Sequence, residues 1–217
     1  MKKTNLWGRF KLTKRLRIPK TAQEEYLKGQ GFEVICGVDE VGRGAWAGPL
    51  VAAAVVLSKK LYGLRDSKLL NSKEREKLAK KIKRTCAWGI GEVTAGEIDK
   101  WQLTKATQLA FRRALKDLDR NIDYILADGF LVDSPIPCRA LKKGDMTCSS
   151  IAAASIIAKV HRDSIMRGLD KKIKGYYFAR HKGYGTKLHR ARLKKLGPSN
   201  VHRRFFAPLS RLTKEKK

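Results

Sequence analysis

The chain has 217 residues, of which 42% are hydrophobic and 32% charged, and this composition is typical of a folded domain rather than a disordered chain. Its formal net charge of +29 predicts a polyanionic partner, most often nucleic acid, although charge alone does not separate enzymes from binding proteins. The longest apolar run, LVAAAVVL at 50–57, is too short to span a bilayer, so no membrane association is expected.

Strand and helix patterns alternate through the middle of the chain. FEVICGVDEV and PLVAAAVVL are apolar, β-branched runs joined by a glycine-rich turn, which predicts two strands over 33–57. Further strands are predicted at CAWGIGEVT (86–94), YILADG (124–129) and IPCRAL (136–141). Helices are predicted from the capping pair Asn71 and Glu74 to about residue 84, over 102–118 and over 149–160. This order predicts an α/β fold, a mixed sheet flanked by helices, followed by a basic helical C-terminal region.

The excess of positive charge lies at the two ends of the chain. Residues 1–20 hold eight Lys or Arg and no acid, and residues 180–217 hold thirteen and one acid, leaving 28 basic and 19 acidic residues between them. We therefore expect one domain over 33–208, preceded by a basic N-terminal extension over 1–32 and followed by a basic tail over 209–217.

The cysteines and histidines show no metal-ligand spacing. Four cysteines and four histidines occur without a CxxC pair or a zinc pattern. The basic N-terminus lacks the apolar segment of a signal peptide. We therefore expect a cytoplasmic protein with reduced thiols and no small-molecule cofactor.

Four acidic residues stand where a phosphodiester-cleaving site would need them. Asp39 and Glu40 lie on the first predicted strand, Asp128 ends YILADG, and Asp145 comes just before a helix. Carboxylate oxygens are the ligands that Mg²⁺ prefers, and two such ions can activate water and stabilise the leaving oxygen. An unpaired carboxylate beside an apolar strand is costly, so Asp39 and Asp128 favour a cation site. Taken singly, each acid also fits an ordinary role as a solvated, turn or helix-end residue.

Strand geometry adds one objection to this site. Neighbouring residues of a regular strand point to opposite faces, so Asp39 and Glu40 cannot both aim inward from an ideal strand. We therefore rank Glu40 below Asp39, and expect either a bend of the strand at Glu40 or a contribution of Glu40 from the rim or through its backbone oxygen.

Six blocks of sequence resemble one family in its own order. They are GVDEVGRGAWAGPLVAAAVVL (37–57), DSK (66–68), LADG (126–129), KGD with SIAAASIIAKVHRD (143–163), HKGYGTKLH (181–189) and HRRFF (202–206). Together they resemble the ribonuclease HII family from about residue 33 to 208. The resemblance implies a ribonuclease H-like fold in which 33–208 is the catalytic domain.

The resemblance also implies an activity and a set of site residues. The family cuts the RNA strand of RNA–DNA hybrids and nicks 5′ to single ribonucleotides in duplex DNA, leaving 5′-phosphate and 3′-hydroxyl ends, with Mn²⁺ or Mg²⁺ as cofactor and as a monomer. Carried over, the metal-binding and catalytic residues are Asp39, Glu40, Asp128 and Asp145. The implied substrate contacts are Gly42, Arg43 and Gly44 at the 2′-hydroxyl and phosphate, Tyr184 on the neighbouring sugar, and Lys68 at a phosphate. Lys68 reads equally well as a solvated lysine before a helix.

Two departures and two alternatives accompany this hypothesis. Cys148 and His161 stand where the family commonly has serine and threonine, but neither falls on a proposed ligand. A non-catalytic basic nucleic-acid-binding protein would share the same charge. The sister ribonuclease HIII shares the fold, but residues 1–32 are too short for its additional N-terminal domain.

Overall fold

The computed structural model describes residues 21–58, 61, 64, 70–206 and 209. The strongly basic first twenty residues lie outside this range, as does the tail after residue 209, so the predictions made for both ends stay predictions.

The fold is built on a five-stranded mixed sheet. Its strands are β1 Ile35–Val41, β2 Leu50–Val56, β3 Ala87–Val93, β4 Tyr124–Asp128 and β5 Cys138–Leu141, in the spatial order β3-β2-β1-β4-β5. Strands β1, β2 and β3 pair antiparallel, whereas β1, β4 and β5 pair parallel. The helices are α1 Ala22–Gly29, α2 Ser72–Thr85, α3 Ala95–Asp117, α4 Gly144–Thr147, α5 Ser149–Lys172, α6 Phe178–His181 and α7 Lys187–Leu196. The predicted α/β class is confirmed.

Helices cover both faces of the sheet because β2 is apolar on both sides. Val51, Ala53 and Val55 pack with α2 and α5, while the alternate residues of β2 pack with α3. Gly37 of β1 lets α5 approach closely, since a Cβ built there would lie 2.2 Å from the main-chain carbon of Ser150. The close approach of α5 to β1 is what brings helix side chains to the end of that strand.

The observed start of α2 agrees with the prediction, whereas the observed start of α3 differs from it. Asn71 and Glu74 form the predicted capping box of α2. Helix α3 begins at Ala95, seven residues before the predicted start, and Gln102 interrupts it with φ 61° and ψ 167°. The apolar spacing on which the prediction rests begins at Leu103, directly after this kink, whereas the buried Ala95 and Ile98 precede it. None of the described helices is long and apolar enough to cross a bilayer.

The segments at either end of the described domain pack against its centre. Leu27 of α1, within the predicted 1–32 extension, is buried beside α5 and β4. Near the C-terminus, Tyr176, Phe178 and Leu193 form an apolar cluster with Ala47, which lies between β1 and β2. The C-terminal helical region is thus a wall of the same domain and holds the β1–β2 connection.

Candidate active site

Two acidic residues meet where the parallel strands β1 and β4 end. The register pairs Val38 with Ala127, which places Asp39 beside Asp128 at one edge of the sheet. Carboxyl ends of adjacent parallel strands commonly carry functional side chains for this reason. Asp145 enters from the short helix α4, where Asp128 Oδ1 accepts a 2.7 Å hydrogen bond from the Gly144 amide.

A cavity of about 340 Å³ joins the four predicted acidic residues. Its lining residues are Asp39, Glu40, Val41, Arg75, Asp128, Asp145, Ser155, Lys159 and Tyr184. All four carboxylates of the sequence hypothesis therefore face one space, together with two basic side chains and an aromatic ring.

Strand β1 stays regularly paired at Asp39 and Glu40, and both side chains nevertheless reach the cavity. Asp39 remains paired with Ala53 and Glu40 with Ala52, so the two side chains leave opposite faces of the sheet. Asp39 turns toward α5 and hydrogen-bonds Ser155, whereas Glu40 turns toward Arg43, with 3.9 Å between Oε1 and Nε. Both reach the cavity because it lies at the edge of the sheet rather than over one face.

The site is electrostatically costly in the absence of a counter-charge. Burial raises the pKa of Asp39 well above its ordinary value, and the charges of Glu40 and Asp128 raise it further, against a hydrogen bond from Ser155. Burial also raises the pKa of Glu40 from 4.5 to about 7, with Arg43 opposing and Asp128 adding to the rise. A carboxylate in a cleft whose pKa is raised both by burial and by a neighbouring carboxylate is a candidate functional residue.

The donor set suits a hard divalent cation. Glu40 Oε2 is buried and has no hydrogen-bond partner, so one carboxylate oxygen is left for a ligand to satisfy. The carboxylates line the walls of the cavity rather than converge: within the described residues, no three His, Cys, Asp or Glu side chains are close enough to hold one ion. The chemistry of the donors fits Mg²⁺ or Mn²⁺, and binding would require the carboxylates to move closer together.

The GRG turn lies directly beside these acids. Gly42 has φ 98°, and a Cβ there would lie 2.3 Å from Nε of the buried Arg162, so only glycine fits. The Arg43 side chain folds back on the protein: Nη1 donates to Thr107 Oγ1 at 2.9 Å and the guanidinium lies 4.1 Å from the Phe130 ring centroid. Gly44 is exposed, and a Cβ built there meets nothing within 4 Å. The turn thus leaves its main chain accessible at Gly44.

Tyr184 is held against the same turn by its main chain. Its Cα pairs with Ala45 in an isolated β-bridge, and its carbonyl accepts a 3.0 Å hydrogen bond from His189 Nδ1. The Arg162 guanidinium lies 5.4 Å from the ring centroid. The half-buried ring therefore lines the cavity beside the acids and the turn, and its contact with a sugar stays a prediction.

Three buried histidines lie behind Tyr184, two of them joined by a hydrogen bond and the third stacked on one of these. Because His189 Nδ1 donates to a carbonyl, its Nε2 accepts from His202 Nε2 at 3.0 Å. His202 Nδ1 in turn accepts from the Ser199 amide, and His181 stacks on His189 with centroids 4.2 Å apart. Burial lowers the pKa of His189 and of His202 from 6.5 to about 4. The rings are therefore neutral and structural at neutral pH.

The remaining predicted residues lie away from the cavity or outside the described chain. Cys148 is buried and its Sγ donates to Glu24 Oε1 at 3.2 Å, while His161 Nε2 lies 2.5 Å from Glu92 Oε1. Neither lines the cavity, so these departures from the family pattern leave its wall unchanged. Lys68 lies outside the described residues, and its phosphate contact stays a prediction.

Sequence reasoning missed four basic residues around the site. Arg75 and Lys159 line the cavity, and Lys159 is paired with Asp163 at 2.6 Å. Arg162 and Arg203 are fully buried and donate to main-chain carbonyls of the β1–β2 connection. The signal for these two was present, since VHRD and HRRFF belong to the quoted blocks, but only the fold shows what they contact.

Comparisons with known proteins give the family of the chain. The sequence profile described as Ribonuclease HII matches residues 36–209. A ribonuclease HII of Thermus thermophilus is 49% identical over 178 residues, covering 82% of this chain and 88% of that protein. That of Chlamydia caviae is 44% identical over 198 residues, covering 89% and 93%. The solved ribonuclease H2 of Pyrococcus horikoshii aligns at TM-score 0.71 with 26% identity, over 84% of this chain and 98% of that one. The chain that carries this carboxylate cavity and glycine turn belongs to the ribonuclease HII family.

Proposed function

We propose that this chain, an endoribonuclease by its family, is metal-dependent and nicks duplex DNA on the 5′ side of single embedded ribonucleotides as well as cutting the RNA strand of RNA–DNA hybrids. The observation that carries the proposal is the placement of four carboxylates and Tyr184 around one cavity, with the GRG turn directly beside them. A cleavage centre and a sugar-reading surface are then in contact, which is what a cut at one ribonucleotide requires.

The carboxylates are assigned the metal-binding role. Asp39, Glu40, Asp128 and Asp145 supply hard oxygen donors, and the buried, unpartnered Oε2 of Glu40 supports a cation there. A bound Mg²⁺ or Mn²⁺ would supply charge stabilisation at the scissile phosphate and a more acidic water. The resulting products would be a 5′-phosphate and a 3′-hydroxyl.

The basic side chains at the cavity hold the substrate backbone. Arg75 and Lys159 line the cavity together with the carboxylates. A substrate phosphate would pair with Lys159 in place of part of its present ion pair with Asp163. The net charge of +29 adds sequence-independent affinity for duplex phosphates. These contacts position the duplex and carry no information about the sugar.

Recognition of the ribonucleotide is assigned to the GRG turn and Tyr184. The open space at Gly44 lets a sugar approach the main chain closely, and the 2′-hydroxyl is the group that distinguishes RNA from DNA. The ring of Tyr184 stands beside this turn and would contact the adjoining deoxyribose. We further place the protein in the cytoplasm, in keeping with four free cysteines, and expect a monomer from the family resemblance alone.

A labelled DNA duplex with one ribonucleotide, incubated with Mg²⁺ or Mn²⁺ and with EDTA as control, tests this function. The expected result is a single metal-dependent cut 5′ to the ribonucleotide, with an all-DNA duplex left intact. Asp39→Asn should bind the duplex and cut it at least a hundredfold more slowly, roughly the loss seen when a group central to transition-state stabilisation is removed. Tight binding without a cut under either metal would instead support the non-catalytic alternative, and cutting of long hybrids alone would withdraw the sugar-reading roles.

A further inference from the structure

Arg203, in the HRRFF segment, is a buried charge with an unusual set of partners. Its side chain is fully buried, and four hydrogen bonds run from it to main-chain carbonyls: Nη1 to Gly42 at 2.7 Å and Arg43 at 3.0 Å, Nε and Nη2 to Gly48 at 3.0 and 2.9 Å. Burying a guanidinium is costly, and an apolar side chain would fill the space more cheaply. Its planar fork of donors, however, is what joins the two ends of the β1–β2 connection, Gly42 and Arg43 at one end and Gly48 at the other.

These bonds fix which way the peptide groups of the turn face. A trans peptide points its carbonyl and the following amide in opposite directions, and the described chain has no cis peptide. Since the carbonyls of Gly42 and Arg43 point at Arg203, the amides of Arg43 and Gly44 point away from it. Within the described residues, neither amide donates a hydrogen bond to the protein, and Gly44 is exposed. Two neighbouring amides are thus turned outward together.

The same short segment also supports the second recognition element. Arg203 donates its own amide to the Trp46 carbonyl at 2.9 Å, and the preceding His202 bonds to His189, which holds the Tyr184 carbonyl. The Trp46 amide donates to the Gly183 carbonyl at 2.8 Å. One dipeptide, His202-Arg203, therefore fixes the GRG turn and the Tyr184 loop relative to each other.

We propose that Arg203 is a positioning residue for ribonucleotide discrimination: by drawing the Gly42 and Arg43 carbonyls inward, it presents the Arg43 and Gly44 amides to the 2′-hydroxyl and adjacent phosphate of the substrate. This inference rests on the proposed function, in that the ribonucleotide is the group discriminated. Outward amides in succession form a concave donor site suited to an anionic or hydroxyl oxygen. Arg203 itself stays behind the turn and does not touch the substrate.

The test is the ratio of affinities for two duplexes, all-DNA and DNA with one ribonucleotide, measured in EDTA so that neither is cut. Arg203→Lys keeps the charge but loses the fork, so the ratio should fall at least tenfold toward one, while affinity for the all-DNA duplex stays within twofold. Arg204→Lys, the exposed neighbour, should leave both affinities unchanged. Ile82→Ala, a buried truncation in α2, supplies a control for lost stability alone.

Each outcome decides the inference. Full discrimination by a folded Arg203→Lys variant would overturn it, as would an equal loss in Ile82→Ala. Should Arg203→Lys fail to fold, hydrogen exchange of the wild-type Arg43 and Gly44 amides replaces it. Those amides should exchange at least fivefold more slowly with the ribonucleotide duplex than with all-DNA, and equal protection would overturn the inference. A wild-type protein that neither discriminates nor cuts would refute the proposed function itself, which is a separate result.

Discussion

Neutralising Glu40 should stabilise the metal-free protein, although it removes a residue assigned to the active site. The pKa of Glu40 rises from 4.5 to about 7 on folding, mainly through burial. At pH 8 Glu40 is therefore charged in both states, and its charge is less favourable in the folded state than in the unfolded one. A pKa rise of this size corresponds to a loss of about 3 kcal/mol in the free energy of unfolding. Glu40→Gln keeps the shape without the charge, so its free energy of unfolding should exceed that of the wild type by up to about 3 kcal/mol.

The sign of the effect makes the prediction specific. A carboxyl group with a raised folded pKa binds more protons in the folded state, so its stability contribution is lost as the pH rises from 4.5 to about 7. Urea unfolding in EDTA should show the full difference at pH 8 and almost none at pH 4.5. Glu33→Gln, an exposed control, should change neither value by more than about 0.5 kcal/mol. Mn²⁺ should stabilise the wild type more than Glu40→Gln.

Two results would refute this reasoning. If Glu40→Gln is no more stable than the wild type at pH 8 in EDTA, the buried carboxylate carries no cost and the case for a cation beside it weakens. If the gain is the same at pH 4.5 and pH 8, it comes from packing rather than from charge. Activity measurements cannot replace this test, because loss of cleavage follows from many kinds of damage.

The remaining predictions concern packing, acid and salt. Gly37→Ala should cost at least about 2 kcal/mol in urea unfolding, because its Cβ meets the Ser150 main chain, whereas Gly96→Ala, with nothing within 4 Å, should not destabilise. The pKa values of His189 and His202 are lowered to about 4, so protonation of these rings disfavours the folded state in acid. The free energy of unfolding should therefore fall by roughly 3 kcal/mol or more as the pH drops from 6.5 to 4. This fall is to be measured in a variant in which the β1 carboxylates, Asp39 and Glu40, are both neutralised. Binding of an all-DNA duplex, followed by fluorescence anisotropy, should weaken at least tenfold between 50 and 200 mM salt, since phosphate contacts release counterions; a flat dependence would argue against backbone-dominated binding.

Much of the fold follows from local patterns in the sequence. The capping pair Asn71 and Glu74 sets the start of α2, and the apolar run after Pro49 gives a strand buried on both faces. The two strands that carry acids near their carboxyl ends were predicted from their composition, and their parallel pairing brings Asp39 beside Asp128. These features are local because hydrophobic period and capping residues act over a few positions.

The parts that local patterns did not predict depend on distant contacts. The kink at Gln102 could not be predicted, because no glycine or proline stands at this position. The carbonyl partners of Arg203 lie about 160 residues earlier in the chain, and a buried arginine without a carboxylate partner has no signature in composition. That Asp39 and Glu40 both line one cavity could not be predicted from strand alternation, which places their side chains on opposite faces. It follows only from the position of the cavity at the edge of the sheet.

The bond between Gly42 and Arg203 has a consequence for synthesis of the protein. The two residues are 161 positions apart, so the contact closes a loop that spans about three quarters of the chain. A nascent chain on the ribosome can pair β1 with β2 early, but its GRG turn acquires its final conformation only after residue 203 has left the exit tunnel. Long-range contacts of this kind form late, after shorter loops have closed. The sugar-reading role proposed for the turn therefore depends on a contact that forms after β1 has paired with β2.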